Sequence, residues 1–164
     1  MNAISFELSG KTAMFKKPDV NSYAYFTYNN IHKVALLGLL GSIIGLEGYT
    51  QLYNKKDDGF PEFYEKLKGL KISIIPLAPN GYFSKKIQVF NNGVGYASQE
   101  MGGNLIVREQ WIENPYWQII ILDDNSEQYK KIKFSLLAKR SIFIPYLGKN
   151  DHPAKIDKVK EIDL

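Results

Sequence analysis

The chain has 164 residues, 45% of them hydrophobic and 23% charged, and carries a formal net charge of +4. That length supports one compact domain, and that composition argues against disorder of the whole chain. The absence of cysteine excludes disulfides, thiolate chemistry and cysteine-ligated zinc or iron–sulfur centres. Of the 21 basic side chains only Arg108 and Arg140 are arginines, so the cations are mostly lysine point charges suited to a phosphate backbone rather than forks that read base edges.

Ile4, Phe6 and Leu8 alternate with Ser5, Glu7 and Ser9, the pattern of a half-buried strand. Gly10 interrupts it, Thr12 to Lys17 reads as a second extended piece, and Pro18 closes that. Residues 19–30 are polar and tyrosine-rich and read as a loop. Asn30 is the expected N-cap of a helix running from about Ile31 to Glu47. This helix is apolar nearly all round, so it should be deeply buried. Gly38, Gly41, Ser42 and Gly45 share one of its faces, where the backbone of the sheet is expected to approach closely.

Residues 54–59 form a polar loop, and Pro61 to Lys68 a short helix. Leu70 to Leu77 suggests a strand that Pro76 and Pro79 bring to a close. Ser84 to Phe90 and Leu105 to Ile112 read as two strands joined by a glycine-rich connection, so 84–112 should be a protruding hairpin with a long mobile tip at 91–104. Trp117 to Leu122 is a continuous apolar run, typical of a central strand. Asp124 and Glu127 resemble a capping box, and Tyr129, Ile132 and Leu136 then follow at helical spacing. Ile142 to Ile144 is the expected last strand, and 151–164 a charged tail following a domain at 1–150.

This order gives an α+β fold, the βαββαβ arrangement of ferredoxin-like and RRM-like domains, with the hairpin as an insertion. The aromatic signature with which RRM sheets stack bases is absent. The start lacks a basic region followed by an apolar run, and Val34 to Leu46 is shorter than the roughly 20 residues that cross a bilayer. The expectation is a soluble cytoplasmic protein with no membrane partner.

Enzyme motifs are missing: there is no HExxH, P-loop, dinucleotide fingerprint or GxSxG. The two histidines, His32 and His152, are far apart in sequence, and the paired aspartates sit in turn contexts where Asp caps backbone. No metal site, cofactor or catalytic residue is expected. Basic residues interleaved with aromatics are more informative, because cations hold phosphate while flat rings stack on unpaired bases. Lys16 and Lys17 precede Tyr23, Tyr25, Phe26 and Tyr28, and Lys85 and Lys86 open the hairpin, with Tyr96 and Met101 near its tip. Asn29, Asn30, His32 and Lys33 cluster at the start of the first helix, where unpaired N–H groups favour phosphate. Lys130, Lys131 and Lys133 read as a solvated helix face.

The segment Phe6 to Gly48 resembles the fifth Cas family of the RAMP superfamily, the repeat-handle subunit of type I CRISPR Cascade. The family opens on a strand, G-x-x-A-x-F-x-x-P, a loop, and a helix reading G-L-L-x-x-I-x-G-L. Here those positions hold Gly10, Ala13, Phe15 and Pro18, then Gly38, Leu39, Leu40, Ile43, Gly45 and Leu46. A second match, Pro145, Tyr146, Leu147 and Gly148 followed by Pro153 and Ala154, is similar to the family's P-Y-L-G-x-x-x-x-P-A signature. The likeness is nearest to subtype I-B.

The resemblance implies a non-catalytic subunit that caps the 5′ handle of crRNA and contacts the large and backbone subunits of Cascade in antiviral defence, meeting target DNA only indirectly. The hairpin would be its thumb, and Tyr146 and Lys149 of the second motif join the candidate RNA contacts. Members of the family usually continue beyond the P-Y-L-G motif with further β structure. One branch cleaves repeat RNA with a tyrosine, a lysine and a histidine, the last two adjacent. No Lys-His dipeptide stands in this sequence, which argues against cleavage. A metal-independent endoribonuclease that processes repeats, using His32 or His152 with a tyrosine and Lys33 or Lys149, is the alternative.

Overall fold

The structure, a computed structural model, describes residues 1–19, 23–56, 58–93, 95 and 99–164. Eight residues of β1 (Asn2–Ser9) form a central strand because Ile4, Phe6 and Leu8 all point into the core. They stand directly opposite Ile121, Ile119 and Trp117 of β6 (Tyr116–Leu122), with which β1 pairs antiparallel. Cross-strand apolar pairs of this kind set the register, since a one-residue slip would turn all of them to the other face. β3 (Ile72–Pro76) flanks β6 and β7 (Lys155–Asp163) flanks β1, giving the four-stranded order β3-β6-β1-β7 with every neighbour antiparallel. This is the ferredoxin-like sheet: β1 and β3 run parallel with β6 between them. Helices α1 (Lys33–Ile44) and α4 (Glu127–Leu137) supply Leu36, Leu37, Leu40, Ile43, Tyr129, Ile132 and Leu136 to the same core.

A smaller sheet, β2-β5-β4, is built from β2 (Thr12–Ala13), β4 (Lys85–Asn91) and β5 (Ile106–Glu113). β4 and β5 pair along their length from Lys85↔Ile112 to Asn91↔Ile106, so the hairpin expected at 84–112 is present. Its tip at 91–104 lies in part outside the described residues, and so does Tyr96.

Several expectations are corrected. The first helix starts two residues later than expected and is capped by His32, whose Nδ1 accepts from the Ala35 N–H at 3.3 Å. Asn30 does not cap it, because its side-chain oxygen accepts from the buried Trp117 indole N–H at 3.0 Å. The helix ends at Gly45, in the left-handed region at φ 80°, where a non-glycine residue would be strained. A second short helix follows, α2 (Tyr49–Lys55), bent by 81° from the first. Among the described residues no single helix is long and apolar enough to cross a membrane.

The glycine face of α1 meets not the sheet but Phe63 of α3 (Glu62–Leu67) and, at Gly45, Ile142. Residues 142–144 are not a strand, since Ile142 and Phe143 donate backbone N–H bonds of 3.0 and 3.1 Å to the Ile43 and Ser42 carbonyls that α1 leaves open at its end. The last strand is instead β7, formed by the segment expected to be a loose tail. The start of α4 is capped by Ser126, which accepts from Tyr129 N–H at 3.0 Å, while Asp124 accepts from the Ser126 N–H.

Candidate nucleic-acid interface

The tyrosine-rich loop owes its shape to one buried hydroxyl. Thr27 Oγ1 accepts from the Phe15 N–H at 2.9 Å and donates to the Tyr28 carbonyl at 3.0 Å. Backbone bonds from Tyr28 N–H to the Phe15 carbonyl and from Lys17 N–H to the Phe26 carbonyl, both 2.9 Å, zip 15–17 against 26–28. Tyr25 then pins the loop to β5, donating to the Arg108 carbonyl and accepting from the Gln110 N–H, again at 2.9 Å. With Ala24 and Thr27 turned inward, Tyr23, Tyr25 and Tyr28 are left on the surface.

Each of those rings is matched by a cation. Lys16 Nζ stands 3.9 Å over Tyr25, Lys17 Nζ 5.9 Å over Tyr28, and the Arg108 guanidinium 5.3 Å over Tyr23. Exposed pairs of this type contribute only about 0.5–1 kcal/mol, so their stability value is small and their chemistry matters more: flat rings with positive charge beside them. Lys85 joins the group by donating to the Asn29 side-chain oxygen. Burial, and the neighbouring positive charge of Lys17, push the Lys85 pKa down.

The structure therefore brings together Lys16, Lys17, Tyr23, Tyr25, Asn29 and Lys85 of the residues expected from sequence, and adds Arg108. Lys86 lies on the opposite face of β4, 5.9 Å over the Trp111 ring and 3.9 Å from Glu113. Asn30, His32 and Lys33 all have structural work: the indole bond, the helix cap, and a 2.9 Å bond from Lys33 Nζ to the Lys68 carbonyl at the end of α3. Met101 is fully exposed at the hairpin tip.

The second motif folds into a tight turn beside this patch. Leu147 N–H donates to the His152 carbonyl at 2.7 Å, His152 N–H to the Lys149 carbonyl at 3.0 Å, and Met14 N–H to the Leu147 carbonyl at 3.1 Å. Tyr146, half-exposed, bridges to Pro153. His152 is 1% exposed, shares a 2.7 Å hydrogen bond with Thr12 Oγ1, and sets its ring edge-on at 4.6 Å from Trp111. Its Nε2 has no hydrogen-bond partner. Burial, and then the Lys149 charge, lower the His152 pKa. Desolvation also lowers the His32 pKa.

Between loop and turn lies a cleft of about 430 Å³ lined by Phe15, Lys16, Tyr25, His32, Glu109 and Lys149, among others. Glu109 was not foreseen. Its one sequence signal is a carboxylate among the inward positions of an alternating strand, and its partner Lys149 lies 40 residues away. Among the described residues no group of three or more potential metal ligands occurs.

No protein-family model matches the sequence, and no curated protein matches it. Solved structures do share the fold. A chain of a "CRISPR RNA-guided surveillance complex" superposes with a TM-score of 0.65 at 13% identity, over 91% of this chain and 58% of that one. A chain of a "Type III-B Cmr-beta bound to cognate target RNA" superposes with a TM-score of 0.56 at 12% identity, over 98% of this chain and 60% of that one. The chain thus has the α+β fold found in subunits of CRISPR effector complexes and spans less than two thirds of the length of those two relatives.

Proposed function

We propose that this chain is a subunit of a type I CRISPR effector complex that binds the 5′ handle of crRNA and does not cut it. The observation that carries this reading is the surface on which Tyr23, Tyr25 and Tyr28 each stand against Arg108, Lys16 or Lys17. Rings stack on unpaired bases without a sequence requirement, and the cations take the backbone. The fold shared with chains of CRISPR complexes, and the two sequence motifs that meet beside this surface, supply the choice of RNA. The large and backbone subunits of Cascade are the protein partners on this reading, and subtype I-B is the nearest branch. A gel shift with the repeat 5′ handle against a scrambled RNA of equal length tests it. Retardation of the handle is expected, and no retardation of it would end the proposal.

One observation favours a second reading, metal-independent cleavage of repeat RNA. His32, Tyr25 and Lys149 line the same cleft, which puts a histidine, a tyrosine and a lysine together as acid–base candidates; His32 could take a proton only by giving up the Nδ1 bond that caps α1. His152 is too buried to serve, and Lys33 is held on the Lys68 carbonyl. Incubation with repeat RNA in EDTA separates the readings: intact RNA is expected, and a discrete product lost in His32→Ala would establish the nuclease.

A further inference from the structure

Glu109 is the one buried carboxylate among the described residues, 5% exposed, and it sits on the wall of the 430 Å³ cleft. Lys149 Nζ donates to both of its oxygens, at 2.8 and 2.9 Å, and the Trp111 indole N–H donates to Oε2 at 2.9 Å. A carboxylate has about four acceptor positions, so one remains, on Oε1. The Lys149 charge offsets the carboxylate's own, which makes the group tolerable in a half-closed site. That open position can take one more hydrogen-bond donor.

The rest of the cleft says what kind of molecule would bring that donor. The Tyr25 ring and the His32 imidazole offer flat apolar surface, and Lys16 brings a cation to the rim. Flat surface, a cation and one fixed acceptor suit a single unstacked nucleobase still attached to its phosphate. Cytosine, adenine and guanine each carry an exocyclic amine that can donate to a carboxylate. Uracil presents a carbonyl oxygen where cytosine has its amine, and its one edge donor, N3–H, is flanked on both sides by carbonyl oxygens that repel a carboxylate, so it fits the open position worse than an exocyclic amine.

We propose that the Glu109–Lys149 cleft takes one unpaired amino-bearing base of the bound RNA and rejects uracil. This rests on the reading that the chain binds single-stranded RNA, and names the selectivity of that site. If Glu109 and Lys149 are only a structural ion pair, no base preference follows from them.

The test compares short all-cytidine and all-uridine RNA oligonucleotides of equal length, end-labelled, by fluorescence anisotropy with the full chain at neutral pH. The two differ at the base edge by the amine of cytosine against the O4 carbonyl of uracil, and by the N3 acceptor of cytosine against the N3–H of uracil. The cytidine oligonucleotide is expected to bind about 10-fold more tightly, the value of one well-made hydrogen bond to a charged group. Replacing the cytosine amines by hydrogen should abolish the preference on the unmutated protein, a measurement that needs no variant to fold. Glu109→Gln, which supplies a donor in place of an acceptor, should bring the two affinities together or invert them. Tyr25→Ala should weaken both about equally. Equal affinity of the unmutated protein for both RNAs, or a preference that survives in folded Glu109→Gln, overturns the inference while leaving RNA binding intact. Failure to bind either RNA overturns the proposed function along with it.

Discussion

Gly148 and Met14 meet so closely that a β-carbon on Gly148 would stand 1.9 Å from the Met14 carbonyl oxygen. The two residues belong to the two separate motifs, one near each end of the chain, and the contact shows why glycine is required: Gly148 has φ 90°, and its missing side chain is where the other motif's backbone passes. Gly148→Ala should therefore cost about 3 kcal/mol or more, through strain and a clash with backbone that cannot move aside. Gly81→Ala is the control. Its φ of 71° is also left-handed, but nothing lies within 4 Å, so only about 1 kcal/mol is expected. Urea unfolding of both variants checks this, and equal losses would mean that the clasp between the motifs contributes nothing.

The parts of the fold that were legible in the sequence are those whose side chains alternate or cluster without interruption. Ile4, Phe6 and Leu8 show period two because β1 has one face on the core, and the apolar run Trp117 to Leu122 marks a strand covered by neighbours on both edges. β7 was not legible. Ile156 and Val159 both pack on the core although they are three residues apart, because a bulge sets Lys158 and Val159 opposite the single residue Phe6 and breaks the alternation. Residues 142–144 misled in the other direction: their apolar side chains read as a strand, but the backbone closes the end of α1. In the site, the interleaved lysines and tyrosines could be read directly. The pairing of Glu109 with Lys149, and the loss of Asn30 to the Trp117 indole, are long-range facts that no local pattern carries.

The buried His152 should make the protein acid-sensitive. Its pKa in the folded state is pushed below 6.5 by burial and by Lys149, against the smaller opposing effects of Asp151 and Glu109. Below pH 6.5 the unfolded chain then binds more protons than the folded one, so stability falls as pH drops. Above pH 6.5 the contribution is fully present and flat. His32 shifts in the same direction and adds to the slope. The melting temperature should drop by a few degrees between pH 7.5 and 5.5, and less so in His152→Gln. A melting temperature that holds steady or rises on acidification would show that the lone Nε2 finds an acceptor on protonation.

RNA affinity should depend on salt, but moderately. Lys16, Lys17, Lys85 and Arg108 are the cations of the aromatic face, so about four phosphates are engaged. Each contributes roughly 0.7 to the slope on a single strand, giving log K against log salt a slope near −3. Lys85→Met should flatten the slope by about 0.7 without changing the melt, because Lys85 bonds only the exposed Asn29 side chain among the contacts described. A slope near zero would remove the backbone contribution of these cations.

The hairpin tip should be dispensable for folding and needed for assembly. β5 is held without it, by β2 along one edge and by the Tyr25 backbone, and the β4–β5 ladder closes at the 2.8 Å bond from Asn92 N–H to the Leu105 carbonyl. Beyond that bond the apolar side chain among the described residues is Met101, which is fully exposed. Deleting 94–102 would join Gly93 to Gly103, two residues whose backbones accept a tight connection, and a shorter loop loses less entropy on closure. The melting temperature should stay within about 2 °C of the parent. Assembly onto crRNA and the backbone subunit, measured by co-purification, should fall about 10-fold, because Met101, the exposed apolar side chain of the described tip, is removed with it. An unfolded deletion variant would place the segment in the core, and unimpaired assembly would show that the hairpin is not the element that reaches the neighbouring subunit.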